Sequence, residues 1–314
     1  MRMSSNLRLL AALAVLTAPG MASAQPAGSP RDRLVVTPAW LAQHLNDRDL
    51  VILQVGRKAT YDAGHIPGAR LVNFDEGALA APMDHSGRDP NHLMLEMPTP
   101  DALRTELAAL GISDKSRIVV VPADEYWSPS TRIVLTLDYA GLTNVSWLDG
   151  GLKGWTDAGR TLSTAAPPAA TGTLGPLKIN PVVVDAEFVK AHIRKPGFAI
   201  VDARTRNYYD GVPPQRAGAA PPPKLGHIPG AVSAPFSEFA TGGDGLTKLK
   251  SEEEIKAIFA NAGVKPGDTI IGYCHIGQQA TAMLFAARTL GYKVLLYDGS
   301  FTEWQKRDDL PVEK

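Results

Sequence analysis

The feature that most constrains this chain is that it is written twice. "GHIPGA" occurs at Gly64–Ala69 and again at Gly226–Ala231. "LDGGLKGW" (Leu148–Trp155) has its counterpart in "YDGSFTEW" (Tyr297–Trp304). Each half opens with a similar helical pattern, "TPAWLAQHL" and "DAEFVKAHI", followed by an apolar run ending in arginine: "VILQVGR" to Arg57 and "FAIVDAR" to Arg204. Four signals in one order, repeated, mean two homologous units rather than one large fold.

Short apolar strands alternate with amphipathic helices in each unit. In the second half the strands are expected at 199–202, 231–234, 269–273 and 294–297, with helices around 251–261 and 280–290. The latter helix places Ala280, Met283, Leu284, Ala287 and Leu290 on one apolar face. This alternation predicts an α/β fold, each unit a parallel sheet flanked by helices. The first unit is placed at 30–160 and the second at 181–314. The Ala-, Pro- and Thr-rich stretch 161–180 reads as a linker. A Pro/Gly-rich insertion, 211–224, lengthens a loop ahead of the second GHIPGA.

Residues 1–24 read as a secretory signal peptide. Arg2 and Arg8 flank the start of an apolar run, Leu9–Leu16, and Ala22-Ser23-Ala24 precedes Gln25 as a small-x-small cleavage site. The expectation is a periplasmic or secreted protein, with no membrane span after cleavage; the alternative is an uncleaved N-terminal anchor. Acids and bases balance at 32 each, so no global field favours nucleic acid. The seven histidines show no metal-ligand spacing, and no P-loop appears.

The chain has one cysteine, Cys274. It cannot form an internal disulfide, and in an oxidising compartment a lone thiol is a liability. Cys274 follows the strand ending at Tyr273, where open parallel sheets bind ligands. The run Cys274–Gln279 reads as a six-residue loop ahead of a helix, with Gly277 allowing a tight turn. Amides there lack helical partners and, with the helix dipole, favour an anion. Such settings pull a thiol from ~8.5 to roughly 3.5–7.5, leaving a nucleophilic thiolate. The same ring of amides would hold a persulfide. The alternative is a buried, inert cysteine, and the reactive reading requires a sulfur open to solvent.

The two copies of GHIPGA, the Val-Asp-x-Arg element, the lone cysteine opening a loop and the D-G-[GS]-x-x-x-W endings together resemble the tandem-domain rhodaneses, or sulfurtransferases. The resemblance covers nearly the whole chain beyond residue 24. It implies two rhodanese-like domains with only the second catalytic. The position 150 residues before Cys274 is Asp124, which cannot accept sulfur. It also implies ping-pong chemistry through a Cys274 persulfide, between a small sulfur donor such as thiosulfate and a thiophilic acceptor such as cyanide or a thiol. No metal or organic cofactor is implied.

The departures from the family pattern concern the donor. Members using thiosulfate carry basic residues just after the cysteine; here His275 and Ile276 stand there. Members using mercaptopyruvate carry a serine two residues after the cysteine as a proton relay; here that residue is Ile276. Tyr208 stands where the family often has a binding arginine. Candidate substrate contacts are therefore His275, Ile276, Gly277, Gln278 and Gln279 of the loop, with Arg204 and Arg206. Asp202 and Arg204 also suit a structural ion pair, because Arg57 recurs in the silent half. His65, His227, Asp149 and Asp298 read as structural turn residues because both halves have them, and Asp75 and His92 as possible cleft residues. Competing functions are a 3-mercaptopyruvate-type enzyme, a sulfur carrier for a protein partner, and a cysteine phosphatase or arsenate reductase. The last class tends to have a longer loop containing an arginine, absent here.

Overall fold

The computed structural model describes residues 28–73, 79, 93–212, 222–243 and 245–314. The signal-peptide segment, Asp75, His92 and most of the 211–224 insertion lie outside them.

The first unit contains β1 (Val35–Val36), β2 (Leu50–Val55), β3 (Arg70–Val72), β4 (Arg117–Pro122) and β5 (Val145–Leu148). They form a parallel sheet in the order β1-β5-β4-β2-β3. The second contains β6 (Val183–Val184), β7 (Phe198–Asp202), β8 (Val232–Ser233), β11 (Thr269–Tyr273) and β12 (Lys293–Tyr297), in the order β6-β12-β11-β7-β8. The two orders are the same order. Central strands such as "LVILQV" and "TIIGY" are buried almost throughout. Helices cover both faces of such sheets, so the strands read as continuous apolar runs. A hairpin absent from the sequence reading, β9 (Ala240–Gly243) with β10 (Leu246–Leu249), projects from the second unit onto the first. There the Gly150 amide donates to the Thr247 carbonyl at 2.8 Å.

The repeated GHIPGA is a turn. Ala69 and Ala231 donate to the carbonyls of Ile66 and Ile228, each at 2.9 Å. Gly68 and Gly230 hold φ of 79° and 72°, with proline before each. The isoleucines are fully buried. His65 and His227 stack on Tyr61 and Tyr209 and bond backbone carbonyls, which accounts for their presence in both halves.

Helices α1 (Ser128–Tyr139) and α2 (Gln279–Thr289) pack against each other across the unit boundary. Thr131 and Thr281, 150 residues apart, share a hydroxyl–hydroxyl hydrogen bond of 2.9 Å. Trp147 meets Phe285 at 5.6 Å between ring centroids. One apolar core runs through both units. This revises the one-faced reading of α2. Thr281, Ala282, Phe285 and Ala286 are buried too, because the outward face of the helix rests on the other unit. The 161–180 stretch does not float free either. Ser163 pairs with His65, and the Gly172 amide donates to the Ala108 carbonyl at 2.8 Å.

Candidate active site

β11 delivers Cys274 to the carboxyl edge of the second sheet. It emerges between β7 and β12, beside the point where the chain order reverses. α2 begins at Gln279, one residue earlier than the sequence reading places it, so the loop is Cys274–Gln278. Gly277 has φ of 75°. Among the described residues the amides of Ile276, Gly277 and Gln278 have no hydrogen-bond acceptor, and no side chain caps α2. Amides left in this way ahead of a helix favour a negative charge.

The loop is anchored by its other groups. The Cys274 amide donates to Ser300 Oγ at 3.2 Å, and Ser300 Oγ donates to the Tyr297 carbonyl at 2.8 Å. The carbonyls of Cys274 and His275 accept the amides of Phe301 and Thr302, each at 3.0 Å. Ser300 holds φ of 50°, in the left-handed region.

Cys274 itself is fully buried. This corrects the expectation of a thiol open to solvent: the condition set above for a reactive cysteine is not met in this conformation, and attack by Cys274 requires the sulfur to be uncovered first.

Arg204 is buried and committed. Its Nε and Nη2 donate to the Asp202 carboxylate at 2.6–3.0 Å, and Nη2 also reaches the Gly226 carbonyl at 2.7 Å. The guanidinium lies over the Phe301 ring at 3.9 Å. Burial works against its charge, but the Asp202 contacts more than offset this and raise its pKa. Tyr273 Oη donates to Asp202 Oδ2 at 2.8 Å, and burial, followed by the Asp202 charge, pushes its phenol well above the ordinary value. Arg204 is therefore a buttress under the site, and its guanidinium is not presented to a donor. Arg206 is exposed and paired with Asp210 at 3.1 Å. The Tyr208 ring meets the His275 ring edge-on at 4.5 Å, so aromatic packing fills the place of the family's arginine. Ile276 packs against the shared core. Gln278 turns to the first unit and accepts from Tyr126 Oη at 3.2 Å. Gln279 opens the helix.

The structure adds residues that sequence reasoning missed. Arg132, on α1 of the first unit, is fully buried. Its Nη1 donates to Asp298 Oδ1 at 2.7 Å and to the Gly277 carbonyl at 3.2 Å, and its Nη2 donates to the Leu95 carbonyl. A cation from the first unit thus holds the floor of the Cys274 loop. Its signal was a lone arginine inside "SPSTRIVLTLDY", an otherwise uncharged helix up to Asp138; buried arginine needs partners. Glu96 lies beside this cluster, with Oε1 buried and unpartnered among the described residues. Burial and the neighbouring Asp298 carboxylate push it up to about 7, against the pull of Arg132. The two turn aspartates also do more than shape turns. Asp298 accepts the Met97 amide at 2.6 Å and Asp149 the Leu249 amide at 3.0 Å, each reaching into the other unit.

Residues 37–158 and 185–307 each match the family model described as Rhodanese-like domain. The chain is 32% identical over 286 residues to 3-mercaptopyruvate sulfurtransferase of Escherichia coli (strain K12), an alignment covering 87% of this chain and 95% of that protein. It is 29% identical over 281 residues to thiosulfate sulfurtransferase of Azotobacter vinelandii, covering 89% and 97%. The crystal structure of SseA from Escherichia coli, a 3-mercaptopyruvate sulfotransferase with the rhodanese fold, superposes with a TM-score of 0.70 at 29% identity, covering 85% of this chain and 98% of that one.

Proposed function

This chain belongs to the rhodanese-like family and is a sulfurtransferase of two tandem domains, and from that premise we propose that Cys274 carries the transferred sulfur and that thiosulfate is its donor. The observation that carries the reading is the loop Cys274–Gln278, which joins a central strand to a buried helix with three amides unclaimed among the described residues. A Cys274 thiolate attacks the outer sulfur of thiosulfate. The S–S bond of the donor breaks, sulfite leaves with the bonding electrons, and Cys–S–S⁻ remains. A cyanide ion or a thiolate then attacks the terminal sulfur and returns Cys274 to the thiolate. Negative charge sits on the cysteine sulfur before transfer and one atom further out after it, so unclaimed amides suit both states.

Thiosulfate is preferred over mercaptopyruvate because Ile276, two residues after Cys274, has no proton to relay, and its side chain packs into the core. Similarity does not separate the donors, since relatives of both names align over most of the chain. Export follows from the reading of residues 1–24 and places the reaction in the periplasm or outside the cell.

Mass spectrometry tests the proposal. Incubation with thiosulfate should add one sulfur to Cys274, faster than incubation with mercaptopyruvate, and cyanide should remove it. Cys274→Ser should carry no added sulfur and form no thiocyanate. Unchanged thiocyanate production by Cys274→Ser would rule out the mechanism. Faster loading from mercaptopyruvate would assign the other donor, and loading without turnover would favour a sulfur carrier. Cleavage before Gln25 is read by N-terminal sequencing of the protein recovered after export.

A further inference from the structure

A cavity of about 470 Å³ opens over the first domain at Asp124, with Gln278 of the Cys274 loop in its wall. It lies at the carboxyl ends of β2 and β4, where the strand order of the first sheet reverses. Such crevices take ligands in open α/β sheets, and the volume is within the usual range for small molecules. The first domain has lost the nucleophile but kept the crevice. Its polar walls include Arg57, Asn73, Asp124, Glu125, Tyr126 and Gln278.

The charges of that wall define the ligand. The Arg57 side chain is 76% exposed and stands 4.0 Å from an Asp124 carboxylate that is itself 39% exposed. A pair this long and this wet contributes little to stability, so both ends remain available. Glu125 is already used, since its Oε1 accepts the Gly245 amide of the β9–β10 hairpin at 2.7 Å. Among the described residues one cation faces two carboxylates, a balance that repels a dianion such as thiosulfate. The cavity is therefore no second copy of the donor site. A ligand carrying one charge of each sign can exchange the loose internal pair for two closer ones, its carboxylate on Arg57 and its ammonium on Asp124.

We propose that the silent domain's crevice binds a small zwitterion of the amino-acid class. Occupancy is transmitted to the catalytic loop through Gln278, which walls the cavity and bonds Tyr126. The site goes beyond sulfur transfer, and its test does not depend on that chemistry.

The test uses the full Cys274→Ser chain, which has no sulfur chemistry, titrated by chemical-shift perturbation. L-cysteine and its thiol-free analogue L-serine are the probes. N-acetyl-L-cysteine, lacking the ammonium, and cysteamine, lacking the carboxylate, are the controls. Saturable binding of both probes is expected, with the controls weaker. Arg57→Ala and Asp124→Asn, both exposed and compatible with folding, should each weaken L-serine roughly three- to tenfold. Shifts at the Gln278 side-chain amide should accompany binding. The proposal fails if no probe saturates, if either variant binds L-serine as well as the parent, or if a control binds as tightly as the zwitterions. Binding without a shift at Gln278 overturns the coupling to the catalytic loop.

Discussion

Ser300 Oγ accepts the backbone amide of Cys274 at 3.2 Å while Ser300 itself sits at φ of 50°. The corresponding residue of the first domain, in "DGG" against "DGS", is Gly151 at φ of 58°, where the matching site carries Asp124. Glycine adopts this backbone freely. Serine does so at a cost of roughly 1–2 kcal/mol. The domain with the cysteine carries the strained residue, and its hydroxyl holds the peptide of Cys274.

Ser300→Gly should relieve the strain and release the Cys274 amide. Overall stability is expected to stay within about 1 kcal/mol of the parent, while sulfur loading from thiosulfate slows by about tenfold, the worth of one hydrogen bond. Chemical denaturation and single-turnover mass spectrometry read the two quantities separately. Loading at the parental rate would show that the contact merely fills space.

Arg132 predicts a different pattern. Removing one partner of a buried ion pair typically costs about 3–5 kcal/mol because the other charge is left alone. Arg132→Met should therefore destabilise strongly, and Arg132→Met combined with Asp298→Asn should recover part of the loss. Sulfur loading should remain slow in both, because neither restores the bond to the Gly277 carbonyl. A double variant that regains full stability and full loading would reduce Arg132 to a structural residue.

The two turn aspartates should separate stability from activity. Each accepts an amide two residues before the N-cap of a helix in the other domain, Met97 before Thr99 and Leu249 before Ser251. Asp149→Ala is expected to cost about 1–3 kcal/mol by orphaning the Leu249 amide, with sulfur loading close to the parental rate. Asp298→Ala should lose both, since Asp298 also holds Arg132 beneath the Cys274 loop. Equal losses of loading in the two variants would contradict this division.

Glu96 predicts a pH dependence. Its value in the folded protein is about 7, against an ordinary 4.5. The folded state thus holds the proton more tightly, and stability falls as pH rises from about 4.5 to 7 and is level above that. Because the side chain is only partly buried, the effect is discounted to about 1–2 kcal/mol. Glu96→Gln should be more stable than the parent by that amount at pH 8 and no more stable near pH 4. Parallel stability–pH curves for the two proteins would refute the assignment.

Local pattern made much of the fold legible before any coordinates. The strand 269–273 was readable to the residue, and the helices expected at 251–261 and 280–290 to within a residue, because each is an uninterrupted apolar or amphipathic run. The hairpin Ala240–Gly243 with Leu246–Leu249 was not, since its glycines and threonines carry no period and its partner is the other domain. At the site, Cys274 stood out by position and by being alone. Arg132 did not, because its partners are 37, 145 and 166 residues away.

By itself the sequence determined the duplication, the parallel α/β architecture and the single thiol at the edge of one sheet. All three follow from residue types at short range, where spacing dictates geometry. Only the tertiary structure decided that the thiol is buried, that Arg204 is tied to Asp202 and that a cation from the first domain holds the Cys274 loop. These depend on how two similar surfaces meet, and burial and charge pairing across such an interface are set by neighbours that no local stretch of chain contains.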